Sequence, residues 1–289
     1  MKNKLQQNLN NLINNKSILT GLGVVFLSIV IVYMTNGFFP IWLVAIAVIF
    51  LYVVYMFYLI LNRLQDHRHR LLIYRNEIIA QTQALMHIHQ NVNVKGYIPP
   101  MIPWSASPDF VSIIIQQILF REPRFILELG SGGSTVVLAT LIKERDLNVR
   151  LISIDHDEYY ANQTREHLKF NNLNDYVDVQ GRPLKKYEIA ADKYNWYTWD
   201  EEGPEEIDML IVDGPPGAIN KQSRYPALPV LEKDLREGAS ILVDDADRPD
   251  EITMISRWIR EFDCYKAMEW ETDKGTVEII YAPTEGTSD

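Results

Sequence analysis

Five small residues in a row, Gly130-Ser131-Gly132-Gly133-Ser134, follow the apolar run Phe125-Ile126-Leu127-Glu128-Leu129 and lead into a helical pattern. Glycines at such a junction let the backbone turn tightly and approach a ligand where a side chain would obstruct it. A second β-rich run, Leu151-Ile152-Ser153-Ile154, ends in Asp155. That acid lies roughly 20 residues past the glycines, the place from which a carboxylate accepts the hydroxyls of a ribose. A full dinucleotide site is disfavoured, because Thr135 stands where the third glycine of G-x-G-x-x-G belongs. Three more carboxylates, Asp213, Asp244 and Asp245, sit at the ends of two later β-rich runs. In an open parallel sheet these ends share one rim, where ligands bind. Carboxylates gathered there repel unless a cation or a proton separates them. A hard divalent ion with oxygen ligands solves this, Mg²⁺ first, and can orient a hydroxyl and stabilise its oxyanion.

The elements that must hold these residues alternate in type. β-rich runs at 125–129, 149–155, 177–180, 209–213 and 240–244 alternate with helical patterns at 135–143, 158–170, 223–235 and 251–262. Residues 185–197 are expected to supply a further crossover, and Ser107-Pro108 to open a helix reaching about Leu119. Such alternation predicts an α/β fold with crossovers covering a parallel sheet. The end differs, since 265–271 and 275–282, joined through Thr272-Asp273-Lys274 with Asp-Lys-Gly as the turn, predict an antiparallel hairpin.

In this order the segments resemble the class I S-adenosylmethionine-dependent methyltransferases, in particular the branch similar to catechol- and caffeoyl-CoA-type O-methyltransferases. Glu128-Leu129-Gly130-Ser131-Gly132 looks like the family's first motif and Ile154-Asp155 like its ribose-binding strand end. Met209-Leu210-Ile211-Val212-Asp213-Gly214 resembles its fourth strand, and Ile241-Leu242-Val243-Asp244-Asp245 its fifth. The resemblance covers roughly residues 103–282. It implies a Rossmann-like methyltransferase sheet, parallel with an antiparallel closing strand, that binds S-adenosylmethionine. It further implies cofactor contacts from Glu128, Gly130, Ser131, Gly132, Ser134 and Asp155, an adenine neighbourhood at Gly181 and Arg182, and a hold on the methionine end from Ser107. Metal-dependent members end the fifth strand in Asp-Asn or Asp-Asp, so Asp213, Asp244 and Asp245 are the expected Mg²⁺ ligands. One departure concerns the base. The lysine that comes after the fourth strand in catechol-type enzymes is replaced by Pro215-Pro216, so Lys221 or Arg224 has to reach in, or Asp213 itself has to act.

Ahead of this region, residues 18–35 and 41–61 carry no charge. Each approaches the ~20 residues that cross ~30 Å of hydrocarbon as a helix. With a turn at 36–40 they predict a two-helix transmembrane hairpin. Lys2, Lys4 and Lys16 precede it while Arg63, Arg68, Arg70 and Arg75 come after it, so positive-inside bias places both flanks and the large domain in the cytoplasm. The expected organisation is a cytoplasmic segment 1–17, the hairpin 18–61, an amphipathic helix and linker 62–102, the methyltransferase domain 103–283 and a tail 284–289. The N-terminal helices are the expected surface for a homo-oligomer. His67, His69, His87 and His89 are not expected to bind metal, because i,i+2 spacing on a helix points side chains apart.

Of the net charge of −10, residues 1–75 contribute +6, leaving −16 for the remainder. An acidic catalytic part repels a nucleic-acid backbone, so no nucleic-acid partner is expected. The single Cys264 excludes an intrachain disulfide. The expected activity is methyl transfer to a hydroxyl of a small or lipid-linked acceptor. Two rivals are a scaffold with a degenerate methyltransferase fold and, more remotely, an NAD-linked oxidoreductase. The aromatic and acidic stretch from Trp196 to Glu206 reads as a solvated face or a specificity insert, and Trp104 as a gate or a core anchor.

Overall fold

The structure is a computed structural model that describes residues 41–93, 105–199 and 206–283, together with 23, 26–28, 30, 31, 96, 98, 99 and 101. Trp104, the acidic residues 200–205 and the tail 284–289 lie outside the described residues. Two compact units make up the chain, Met1–Tyr74 and Arg75–Asp289.

Helix α1 (Ile41–Asn91) runs without interruption. Its part from Ala45 is long and apolar enough to cross a membrane, and none of its apolar window is buried. Ile46, Val48, Ile49, Phe50 and Tyr52 all stand exposed, a density of apolar surface that water does not favour. This is the one such helix among the described residues, so the expected two-helix hairpin and two-span topology are corrected to a single membrane-capable helix. Composition is not enough for a span: crossing hydrocarbon requires about 20 residues in one continuous helix. Most of the apolar run 18–35, the turn 36–40, and Lys2, Lys4 and Lys16 lie outside the described residues. Without a pair of flanks to compare, the charge bias no longer places the large domain in the cytoplasm.

The second unit is built on a seven-stranded sheet. In chain order it contains α2 (Pro108–Arg121), β1 (Phe125–Leu129), α3 (Gly133–Glu144), β2 (Arg150–Asp155), α4 (Glu158–Phe170), β3 (Asp178–Gly181), β4 (Leu184–Ile189) and β5 (Asp192–Tyr197). Next come β6 (Ile207–Val212), α5 (Ala227–Leu231), β7 (Leu235–Asp244), α6 (Pro249–Glu261), β8 (Cys264–Trp270) and β9 (Thr276–Tyr281). The order across the sheet is β3-β2-β1-β6-β7-β9-β8. Strands from β3 to β7 pair in parallel, while β9 pairs antiparallel with both β7 and β8. All five residues of β1 are buried, as a central strand covered on both faces requires. Leu127, Leu129, Leu210 and Val212 pack on one face with Trp258 of α6 and Trp196 of β5. Ile126, Met209 and Ile211 pack on the other with Ile114 of α2, Val137 of α3, and Ile88 and Val92 at the end of α1. Strand order reverses between β1 and β6, the switch point outside which open α/β sheets bind ligands.

Two expectations about elements change. Residues 185–197 form no crossover but a separate two-stranded antiparallel hairpin, β4–β5. Its turn is Ala190-Ala191, both in the left-handed region with φ 48° and 71°, the geometry that usually selects Asn-Gly. The helix expected at 223–235 shrinks to α5, where Pro226 sets its start and Pro229 lies within it.

Candidate functional site

The glycine turn leaves β1 at Gly130, whose φ of +106° is strained for any residue with a side chain. A Cβ there would also lie 3.3 Å from the carbonyl carbon and oxygen of Asp213, so the turn packs directly on the end of β6. Glu128 organises the turn and the helix beyond it. Its buried carboxylate accepts hydrogen bonds from the hydroxyls of Ser134, Thr135 and Ser153, each at 2.6 Å. Thr135 in turn accepts the Gly132 N–H at 2.9 Å. Burial pushes the Glu128 pKa up, and the three hydroxyls oppose that shift. Both Glu128 oxygens are thus committed to holding the turn and the start of α3.

Asp155 ends β2 beside this turn. One oxygen accepts the Asp157 N–H at 3.0 Å and lies 3.2 Å from His156 Nδ1; the other accepts the Ser131 hydroxyl at 3.3 Å. The hydrogen bond with Asp155 raises the His156 pKa. Gly181 ends β3 against Glu158, whose carboxylate would collide with any Cβ at that position. The Arg182 N–H donates to the Asp155 carbonyl at 2.7 Å, and its guanidinium stacks 4.7 Å from the Trp199 ring centroid. Ser107 occupies the N-cap position of α2, yet its hydroxyl donates to Asp109 rather than to the helix backbone. Asp109 also accepts the Asp273 N–H at 2.7 Å, which ties Ser107 to the turn between β8 and β9.

Across the switch point, one oxygen each from Asp213, Asp244 and Asp245 lies within 4.8 Å of the others. Arg224 is buried among them. Its guanidinium donates to Asp245 Oδ2 at 2.7 Å, to the Asp213 carbonyl at 3.0 Å and side chain at 3.3 Å, and to the Asp244 carbonyl at 2.9 Å. Arg248 braces the other side of Asp245 at 2.8 Å. Asp244 is different: it is fully buried, and neither of its oxygens has a hydrogen-bond partner. Burial raises its pKa well above the usual carboxylate range, and Asp213 and Asp245 push it further. Asp213 is raised to about 6, by burial first, with Arg224 opposing and Asp245 adding. Lys221 stands exposed on the loop after β6.

A family model described as a methyltransferase domain matches residues 127–246, from inside β1 to just past Asp245. The chain has a methyltransferase-like fold. It is similar to a Staphylococcus aureus protein assigned as a caffeoyl-CoA O-methyltransferase, at 11% identity and a TM-score of 0.51, covering 71% of this chain and 100% of that one. It is also similar to an O-methyltransferase from Bacillus cereus in complex with S-adenosylhomocysteine, at 19% identity, a TM-score of 0.47, and coverage of 70% and 90%. A Podospora anserina methyltransferase with the same molecule bound gives 16%, 0.49, 68% and 87%. No curated protein sequence matches the chain.

Within this methyltransferase-like fold, Gly130, Ser131, Gly132, Ser134, Glu128, Asp155, Gly181 and Arg182 gather around the ends of β1, β2 and β3. Asp213, Arg224, Asp244 and Asp245 gather at β6 and β7. The unpartnered Asp244 oxygens and the all-oxygen donor set fit a hard divalent cation. Asp245 fits less directly, since both its oxygens already face arginines. Two neighbours escape a reading of the sequence. Lys274, in the β8–β9 turn, donates to the Ser105 carbonyl at 2.9 Å, and its charge acts on both Asp213 and Asp244. Only the three-dimensional return of the closing hairpin brings it there. Tyr197 ends β5 against Gly214, and reading its segment as a crossover hides its approach to the site.

Proposed function

We propose that this protein is an S-adenosylmethionine-dependent methyltransferase acting on a hydroxyl of a small or lipid-linked acceptor, and that α1 attaches it to a membrane. The observation that carries this reading is the convergence, at the switch point of the sheet, of the glycine turn, Asp155 and the carboxylates of β6 and β7. Asp155 accepts the ribose hydroxyls, with Ser131 and His156 fixing its two oxygens. Gly130 and Gly132 let the backbone approach the cofactor, and Glu128 with Ser134 holds that turn in shape. Gly181 and Arg182 flank the adenine, and Ser107 faces the methionine end.

Asp213 is the proposed base. Its carboxylate, which burial makes more basic than an ordinary one when no cation is bound, takes the proton of the acceptor hydroxyl as the acceptor oxygen forms its bond to the methyl carbon. The carbon–sulfur bond breaks, its electron pair stays on sulfur, and neutral S-adenosylhomocysteine leaves. Arg224 cannot be the base, because a guanidinium keeps its proton; it orients the carboxylates instead. Lys221, exposed on the loop, serves the acceptor side. Asp213 and Asp244, with Asp245 behind them, would hold a Mg²⁺ ion, which when bound supplies positive charge against a developing oxyanion.

Calorimetric titration of the purified protein with S-adenosylhomocysteine, with Mg²⁺ and with EDTA, tests the reading. Binding is expected, and Asp155→Ala should weaken it at least tenfold, the loss of one or two hydrogen bonds to a charged acceptor. No binding by the wild type in either condition would overturn the assigned cofactor. A second reading, a scaffold that binds the cofactor without transferring its methyl, is favoured by the closure of Asp213 and Asp245 onto Arg224. Transfer of radiolabelled methyl from S-adenosylmethionine into a membrane extract separates the two.

A further inference from the structure

As a helix rising 1.5 Å per residue, the uncharged run 41–61 spans roughly 30 Å, the thickness of a hydrocarbon core. Helix α1 continues past it to Asn91, so the residues after the run leave the hydrocarbon on the same rod. Between Asn62 and Asn76 that rod carries Arg63, Arg68, Arg70 and Arg75 with His67 and His69, against Asp66 alone. Ile60, Arg63, Leu64, His67 and Arg70 fall at i, i+3, i+4, i+7 and i+10 on one face, where they line an open cleft of about 500 Å³. All five are exposed. Arg63, His67 and Arg70 have no side-chain hydrogen bond or ion pair among the described residues. Asp66 stands about 100° round the helix from His67, and it pairs with neither arginine.

Resting on the reading that α1 attaches the protein to a membrane, we propose that this face binds the phosphate of an anionic phospholipid. Ile60 and Leu64 stand at the hydrocarbon end of the cleft, beside the first methylenes of the acyl chains, and the cationic groups continue outward from them. The headgroup layer beyond the hydrocarbon is about 5–7 Å deep. Arg63 lies about 3 Å past Leu61 along the helix axis, His67 about 9 Å and Arg70 about 14 Å. Helical side chains lean toward the helix N-terminus, which here is the membrane side, so His67 and Arg70 reach back to the phosphate that Arg63 meets directly. A guanidinium takes a phosphate through two parallel N–H donors. Arg68 points about 100° away from His67, and Arg75, about 21 Å past Leu61, is beyond reach and beside Asn76. An anionic lipid suits the face better than a zwitterionic one, whose own ammonium the arginines repel. A soluble anion lacks the chains that Ile60 and Leu64 would cover.

The test is the ratio of affinities for phosphatidylglycerol and phosphatidylcholine, titrated into the full-length protein in mild detergent with bound lipid counted by native mass spectrometry. Each arginine at an anionic headgroup contributes about fivefold, so wild type should prefer phosphatidylglycerol by about 30-fold. Replacing the two face residues together, Arg63→Gln with Arg70→Gln, should bring that preference within about threefold of unity. Arg68→Gln with Arg75→Gln removes the same charge off the face and should leave the ratio within about threefold of wild type. Equal affinity of the wild type for the two lipids, or equal losses in the two double variants, would overturn the site while leaving attachment by α1 intact. Release of bound phosphatidylglycerol by millimolar inorganic phosphate would assign the face to a soluble anion and overturn the lipid. Extraction of the full chain from membranes by alkaline carbonate would remove the attachment itself, and this proposal with it.

Discussion

Asp244 and Asp245 are neighbours in sequence with opposite circumstances. Asp245, at φ 59°, turns its carboxylate between Arg224 and Arg248, whereas Asp244 points both oxygens into the protein with no donor to meet them. A buried carboxylate in that position destabilises the fold unless it takes a proton or a cation. Asp244→Asn should therefore stabilise the metal-free protein by about 1–3 kcal/mol at neutral pH, read as a rise in Tm at about 2–4 °C per kcal/mol. The pH dependence comes from the raised pKa of Asp244 in the fold. Its contribution to stability is complete below the ordinary carboxylate value and is lost as pH rises toward the folded value. Thermal melts in EDTA should then show the variant's advantage smallest near about pH 4 and widening toward neutrality. Millimolar Mg²⁺ should raise the Tm of the wild type and leave the variant unmoved. A variant less stable than wild type at neutral pH would mean that Asp244 has a partner in solution.

At the scale of elements, two hairpins serve the site. The closing turn between β8 and β9 is fixed by Gly275, at φ +75°, where a Cβ would stand 2.6 Å from the Asp247 carboxyl and 2.7 Å from its backbone nitrogen. Asp247 N–H donates to the Lys274 carbonyl at 3.1 Å, so this contact also seats Lys274 near the carboxylates. Gly275→Ala should cost about 1–3 kcal/mol from backbone strain alone, measurable by urea denaturation. A cost near zero would show that the turn shifts freely. This hairpin was legible in the sequence because Asp-Lys-Gly between two apolar runs is a turn signal. So were the glycine turn and Asp155, whose types and spacing state their geometry. The β4–β5 hairpin was not legible. Ala190-Ala191 is a turn whose residues do not advertise positive φ, and the tertiary packing of Trp196 and Tyr197 selects it. The role of Glu128 was likewise hidden, because only the fold brings Ser134, Thr135 and Ser153 onto one carboxylate.

For the whole molecule, the division at residue 75 separates two kinds of surface. Up to Tyr74 most of the described apolar side chains of the helix stand exposed, while Ile88 and Val92 near its end are 2% and 1% exposed in the core of the second unit. His87 there bonds Ser112 of α2 at 2.7 Å. The apolar runs in sequence led to an expected two-helix hairpin, of which one membrane-capable helix stands among the described residues; the burial pattern says which part of α1 belongs to the sheet-based unit. If α1 attaches the protein to a membrane, the full chain should stay with the membrane fraction through an alkaline carbonate wash. A chain beginning at Arg75 should be soluble, folded, and bind S-adenosylhomocysteine within about twofold of the full chain, since it keeps every buried contact of the second unit. A chain beginning after Asn93 loses Ile88 and Val92, each contributing about 1.5–3 kcal/mol by burial. It should melt well below the longer version or fail to express. Equal stability of the two truncations would show that the end of α1 is no part of the fold, and release of the full chain by carbonate would show that α1 does not span.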